Sequence, residues 1–139
     1  MKRNIIIGYV ILLISSLFST CTRRTPEKAV EELFNISLIG FDYTIESYEE
    51  QCYPNGDGSL DLVIKFNHLT PQNIAYLKKQ CHNQSLPIPE KLRNRIPTLF
   101  LEIENGYYLY DYDRKEPDNF KFFVFDRKNN KIIVYVQVL

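Results

Sequence analysis

The sequence predicts an α+β domain in which two helices pack on one face of an antiparallel sheet of about five to six strands. Two observations support this prediction. Apolar residues recur at helical spacing in two short segments, and elsewhere they alternate with polar residues or form runs rich in aromatic and β-branched side chains. The expected order along the chain is helix, two strands, helix and four strands.

Both helices are predicted from the signals at their N-termini. Threonine is a favoured N-cap and proline suits the first helical position, so Thr25–Pro26 and Thr70–Pro71 each mark a start. In the first helix the apolar spacing continues to about Leu38, and Gly40 is expected to end it.

The strands are predicted as three hairpins, because pairs of strand-like segments flank turn residues. The segments are 41–47 and 60–67 around 54–58, 99–104 and 107–112 around Asn105–Gly106, and 120–125 and 132–139 around 127–131. Asn-Gly is the strongest short hairpin signal in the chain, and a two-residue loop there pairs Glu104 with Tyr107. The last two apolar runs suit the middle of a sheet.

The N-terminus has the order of a targeting segment. Lys2 and Arg3 precede the apolar run 5–18, which is too short to span a membrane, and Ser19–Thr20 lead to Cys21. This order resembles the lipobox of bacterial lipoproteins, although Phe18 stands where that family prefers Leu and Thr20 where it prefers Gly or Ala.

The resemblance implies that residues 1–20 are a cleaved signal peptide and that Cys21 carries the lipid that tethers the protein to a membrane. Residues 21–25 would then be the lipidated cysteine and a short tether, and 26–139 a single domain. Because Thr22 follows the cysteine instead of the family's Asp retention signal, the expected location is the outer membrane, facing the periplasm. An ordinary secreted protein and an uncleaved anchor are the alternatives.

The charge of the remaining chain does not favour nucleic acid as a partner. The sequence has 17 Lys+Arg and 17 Asp+Glu, and removing 1–20 deletes Lys2 and Arg3 and no acidic residue. The mature part therefore has a net charge of −2. Nucleic-acid binding requires a clustered basic face, and this charge balance gives no support for one.

Export also bears on the cysteines. With Cys21 lipidated, Cys52 and Cys81 are the pair that remains in an oxidising compartment, and a disulfide between them is expected. The bridge would close a loop of about 29 residues and contribute roughly 3–4 kcal/mol. Two buried thiols are the alternative.

Neither a metal nor another cofactor is expected. Four residues in and after the first turn match the third, fifth, sixth and ninth positions of the EF-hand pattern: Asn55, Asp57, Gly58 and Asp61. Tyr53 and Ile64 stand where that loop needs carboxylates, so a plain hairpin turn explains the segment better. The two histidines, His68 and His82, are expected at a strand end and a helix end, and a zinc site would need more ligands.

Two groups of side chains on the second predicted hairpin are candidates for a site. The carboxylates of Glu102, Glu104, Asp111 and Asp113 fall on neighbouring strands, where a converging pair could hydrolyse a polymer. The tyrosines are Tyr107, Tyr108, Tyr110 and Tyr112. Alternation places the last three on the aliphatic face, as core, and turns Tyr107 the other way; an exposed aromatic binding surface is the alternative.

The leading functional hypothesis is a non-enzymatic binding or interaction module, held at the cell envelope by lipid, with a protein partner there. An inhibitor or immunity-like protein is one variety. The alternative from another class is a small hydrolase that acts on envelope polymers through the acidic strand residues. A structural accessory of a larger complex is a third hypothesis.

Overall fold

The computed structural model describes residues 24–139, so the predicted signal peptide and lipidated Cys21 lie outside the described residues. The elements are helix α1 (Pro26–Phe34), strands β1 (Asp42–Cys52) and β2 (Gly58–His68), helix α2 (Pro71–Gln80), and strands β3 (Gly106–Tyr112), β4 (Phe120–Asp126) and β5 (Lys131–Val138). Two 3-10 turns, Glu90–Arg95 and Thr98–Glu102, lie between α2 and β3.

The predicted α+β class is confirmed. The five strands form one antiparallel sheet in the order β1-β2-β5-β4-β3, so β1 and β3 are its edges. Three strands follow α2, where four were predicted.

Both helices pack on one side of this sheet, which we call the helix face. Ala29 and Val30 of α1 and Leu77 of α2 are buried there against alternate residues of the strands. The buried strand residues on this face are Leu60, Leu62, Ile64, Phe66, Phe123, Phe125, Ile132 and Val134.

The opposite side, which we call the cover face, is covered over only part of its width. Residues 86–103, here named the cover segment, bury Phe122, Val124 and Tyr108 of β3 and β4 beneath Ile88, Ile96 and Phe100. Over β1 and β2 the same face is exposed and polar, with Thr44, Ser47, Glu49, Gln51 and Asp61. The domain therefore has three layers (helices, sheet and cover segment) at the β3 edge and two layers (helices and sheet) at the β1 edge.

The helix starts are as predicted, but the first helix ends early. Thr25 Oγ1 accepts from Lys28 N at 3.2 Å, and Thr70 forms a reciprocal pair of bonds with Asn73. Helix α1 stops at Phe34 because Asn35 adopts φ +56° and caps it, whereas Leu38 is buried in the loop that follows.

The first hairpin is confirmed, with two irregularities in its register, at Asp42/Tyr43 and at Ile45/Ser47. Leu60 to Phe66 alternate between buried and more exposed positions along β2, as expected. Between Ile45 and Ser47 of β1 the register shifts, which makes Glu46 an extra residue. Ser47 therefore lies on the cover face, whereas simple alternation would place it on the helix face with Ile45.

The second predicted hairpin is wrong. Residues 98–102 form a 3-10 turn, and β3 pairs with β4, so Glu104 is not a partner of Tyr107. Gly106 has φ +135° and lies against the backbone of Phe125, which makes it the start of a strand and not the second residue of a turn. Leu101 and Ile103 still pack with Tyr108, because the cover segment brings them onto the same face.

The predicted disulfide is also wrong, because the structure does not join Cys52 to Cys81. Cys52 is exposed at the end of β1, opposite Gly58. Cys81 is fully buried at the end of α2, and burial raises the pKa of its thiol to about 12. The chain passes from Cys81 to Ser85, which bridges Tyr107 near the other end of the sheet, so the two cysteines lie at opposite ends.

The end of α2 gives a stability prediction. His82 N donates to Lys79 O at 2.9 Å and Asn83 N to Lys78 O at 3.0 Å, which is the Schellman arrangement, but His82 has φ +52° where glycine is preferred. We expect His82→Gly to stabilise the domain by about 0.5–1 kcal/mol, because relief of the strain exceeds the added entropy of the unfolded chain. Thermal denaturation followed by circular dichroism measures this as a rise of a few degrees. The control is His68→Gly at the end of β2, and equal effects of both would contradict the prediction.

Candidate functional site

The four carboxylates proposed for hydrolysis are not brought together. Glu102 lies in the second 3-10 turn, Glu104 in the loop before β3, and Asp113 in the loop after it. Asp111 is on the helix face, where its carboxylate is 3.8 Å from Lys121 Nζ. All four residues are exposed, and Asp111 lies on the opposite side of the sheet from the cover segment that contains Glu102.

The histidines and the first turn occupy the positions predicted for them. His68 is the last residue of β2 and His82 follows α2. In the turn, Asn55 Nδ2 donates to Asp57 Oδ2 at 2.6 Å and Tyr53 N donates to Asp57 O at 2.9 Å. Over residues 24–139 no group of three or more His, Cys, Asp or Glu side chains is arranged to hold a metal ion.

The tyrosine series is divided by the alternation of β3. Tyr108 is buried in the core of the cover face, and Tyr110 is half-buried beside it. Tyr107 lies on the helix face, stacked on Phe125 and under Lys78 Nζ at 5.6 Å. Tyr112 is 41% exposed at the end of the strand. The four rings therefore do not form one surface, and Tyr112 is the most accessible of them.

Beside Tyr112 the cover face has a groove of about 450 Å³. It is bounded on one side by the cover segment and on the other by the loop between β3 and β4. The lining residues are Asn94, Arg95, Ile96, Pro97, Pro117, Asp118, Phe120, Tyr135 and Gln137. We call this site the cover-face groove.

The floor of the groove is aromatic and held by neighbouring rings. Phe120 and Tyr135 are on adjacent strands, with ring centroids 5.7 Å apart and planes tilted by 41°. Phe100 of the cover segment lies 6.4 Å from the Tyr135 ring. Because both strands are in the sheet, the floor is fixed before any ligand arrives.

Hydrogen bonds also hold the rim. Gln137 Oε1 accepts from the Tyr135 hydroxyl at 3.2 Å, and Gln137 Nε2 donates to Asp118 O at 3.3 Å, so the amide bridges the floor and the loop. The loop is closed by bonds from Asp113 N to Asn119 O and from Asn119 N to Glu116 O, at 2.9 and 2.8 Å.

An arginine and two tyrosines form the lip. The Arg95 guanidinium lies 5.4 Å from the Tyr112 ring centroid, and the Tyr112 ring stacks on Tyr110 at 5.7 Å. The Tyr110 hydroxyl is buried, and among the described residues the Arg95 guanidinium is a polar neighbour of it, although not at full hydrogen-bonding geometry. Burial raises the pKa of Tyr110, and the interaction of its hydroxyl with Arg95 opposes that shift.

Of the residues at this groove, Tyr112 was predicted from the sequence as a site residue, whereas Arg95, Phe120, Tyr135 and Gln137 were not. The alternation of β4 and β5 places Phe120 and Tyr135 on one face, but only the strand register makes them neighbours. Arg95 comes from the 3-10 turn Glu90–Arg95, which lies outside the predicted helices and strands.

A second, more open depression lies at the opposite end of the sheet. Ser85, Leu86, residues 104–107, Arg127 and Lys128 line it. Its walls are tied by backbone bonds, from Leu86 N to Gly106 O and from Arg127 N to Asn105 O, both 2.9 Å.

The chain enters the domain on the side away from the groove. Arg24 Nε donates to Glu50 Oε1 at 3.1 Å, and its Nη1 lies 3.4 Å from Glu32 Oε2. Glu50 is on the helix face of β1, the edge strand opposite β3. Arg24 and the N-cap Thr25 therefore belong to the domain and not to the tether predicted over 21–25.

Within residues 24–139 no helix is both long enough and apolar enough to cross a membrane. Comparison of the chain with protein-family models, with curated proteins and with solved structures gave no match in any of the three.

Proposed function

We propose that the chain is a lipid-anchored envelope protein and that its domain is a non-enzymatic binding module. Lipid on Cys21 would hold it at the outer membrane, facing the periplasm, and an envelope protein or polymer would bind in the cover-face groove. The observation that supports a binding function is the groove itself, with its fixed aromatic floor and the Arg95–Tyr112 pair at its lip.

The composition of the lip suits recognition. Tyrosine and arginine are enriched among the residues that dominate binding energy, because they give large contact areas and directed hydrogen bonds. Here the two side chains already contact each other, and Tyr110 supports the ring from behind. Binding would therefore cost less side-chain entropy than it would with two independent side chains.

The position of the entry point supports the same proposal. Two residues, Thr22 and Arg23, separate Cys21 from Arg24, and the three Cα–Cα steps allow a reach of about 11 Å. Arg24 bonds to β1, whereas the floor of the groove is on β5 and β4, two and three strand spacings away, or roughly 10–14 Å, and on the opposite face of the sheet. A lipid anchor at Cys21 would leave the groove accessible.

The anchor is tested by Cys21→Ser in the full chain. We expect the variant to lose incorporated radioactive palmitate and to move from the membrane fraction to the soluble fraction, because acyl chains bind a bilayer by about 0.8 kcal/mol per CH₂. Cys52→Ser is the matched control and should keep both label and membrane association. Continued labelling of the Cys21→Ser chain would refute the lipoprotein assignment.

The binding surface is tested by Arg95→Ala. The full chain, purified in detergent and immobilised, is incubated with an envelope extract, and each captured component is quantified. We expect capture to fall about tenfold or more, because truncating an arginine that dominates a binding surface costs roughly 2 kcal/mol or more. Arg93→Ala is the matched control, since Arg93 lies on the same turn but pairs with Glu90 at 3.2 Å and does not line the groove. Equal capture by the two variants would rule out this surface.

A further inference from the structure

We infer that the cover-face groove takes a neutral saccharide chain, an inference that rests on the proposed binding function and names its ligand class. Four observations lead to it: the charge balance of the lining, the mixture of donors and acceptors at the rim, the aromatic floor and the volume.

The lining is electrically balanced. Among its residues Arg95 is the one cation and Asp118 the one anion. A site for phosphate or a carboxylate would have an excess of positive charge, and a site for a cation an excess of negative charge. The balance therefore favours a ligand without net charge.

The rim has more hydrogen-bonding capacity than an apolar ligand would use. Asn94 and Gln137 each carry an amide that both donates and accepts, Arg95 donates and Asp118 accepts. The Gln137 amide is oriented by Tyr135 and by the Asp118 carbonyl, yet it keeps a second N–H and a second lone pair. Sugar hydroxyls match such a rim, because each hydroxyl can donate and accept at once.

The floor and walls supply the apolar part of the site. Phe120 and Tyr135 both line the groove, and the faces of aromatic rings carry negative electrostatic potential that attracts the C–H groups on the flat side of a sugar ring. Pro97 and Pro117 close the walls without backbone N–H donors. A volume of about 450 Å³ lies within the usual range for ligand sites.

A proline-rich peptide is the competing occupant, because such peptides dock in grooves lined by aromatic residues. The cover-face groove is less suited to one, since its lining includes four polar side chains, Asn94, Arg95, Asp118 and Gln137. That arrangement surrounds a ligand with hydrogen-bonding groups, as a polyhydroxylated chain requires.

The test is calorimetric titration of the full chain in lauryldimethylamine oxide, a detergent without a sugar headgroup. The probes are neutral tri- to hexasaccharides of N-acetylglucosamine, glucose, mannose and galactose, an oligogalacturonate as charged counterpart, and a proline-rich decapeptide. We expect at least one neutral oligosaccharide to bind, and its Kd to rise about tenfold in Gln137→Leu. Gln51→Leu is the matched control on the uncovered half of the same face and should bind as the unaltered chain does.

Three results would overturn the inference: no binding of any neutral oligosaccharide, preference for the galacturonate or the peptide, or equal affinity of Gln137→Leu and the unaltered chain. Failure here is distinguishable from failure of the proposed function. If no sugar binds but Arg95→Ala still lowers capture of an envelope protein, the binding module stands and the saccharide does not.

Discussion

Replacing Gly106 by alanine is expected to destabilise the domain by more than about 4 kcal/mol, which is enough to unfold a marginally stable domain. A Cβ at this position would lie 1.8 Å from the carbonyl oxygen of Phe125 and 2.9 Å from its carbonyl carbon. The obstacle is backbone of an interior strand, so relief would require breaking the pairing of β3 with β4. The φ of +135° adds strain of its own.

Circular dichroism and denaturant unfolding measure this effect. Gly40→Ala is the control, because Gly40 also has positive φ, at +83°, but a Cβ there would meet nothing within 4 Å. It should lose only about 1 kcal/mol, the cost of the backbone conformation. If both variants are equally mild, the close approach of Gly106 to β4 is wrong.

The second large effect is expected from Phe100→Ala, at about 3–5 kcal/mol. Phe100 is 3% exposed and meets the Phe122 ring edge-on at a centroid distance of 4.8 Å. Its ring fills the space between the cover segment and the sheet. Truncation would leave a cavity between the segment and the sheet, and would remove the ring that supports Tyr135 under the groove.

The control is the neighbouring Leu99→Ala, because Leu99 is 67% exposed and should change stability by no more than about 0.5 kcal/mol. Denaturant unfolding gives both values. Loss of similar size in the two variants would mean that residues 86–103 do not form a packed layer.

The parts of the fold that the sequence predicted well depend on local chemistry. Thr25–Pro26 and Thr70–Pro71 specify helix starts because the cap and the first turn involve only neighbouring residues. The turn 53–57 and the alternation of β2 likewise fix the first hairpin from within one segment. The α+β class followed from these elements.

The predictions that proved wrong concern features that depend on contacts between residues far apart in the sequence. Asn105–Gly106 has the composition of a hairpin turn, but glycine also permits the close backbone approach that Gly106 makes to Phe125. The disulfide between Cys52 and Cys81 was predicted from the oxidising compartment and from the number of cysteines. Neither gives any information about the distance between the two residues. The disulfide would have needed Cα atoms within about 7 Å, whereas the two residues lie at opposite ends of the sheet.

The candidate site was harder to predict than the fold. Its groove combines Arg95 from a 3-10 turn, Asp118 from a loop and Gln137 from β5, which are separated along the chain and become neighbours only through the strand order. Tyr112 was recognisable because a run of tyrosines is conspicuous in any sequence. The side chains that line the groove beside Tyr112 form no local sequence pattern.

The most direct measurement of the central claim is photocrosslinking in the native envelope. A benzophenone amino acid replaces Asp118 at the groove or, as control, Glu49 on the uncovered half of the same face; both positions are exposed. The proposal predicts one reproducible crosslinked product from position 118 that is lost when Arg95→Ala is added, and none from position 49. Identical products from both positions, or a product from 118 that survives Arg95→Ala, would contradict the assignment of the cover-face groove as the binding site.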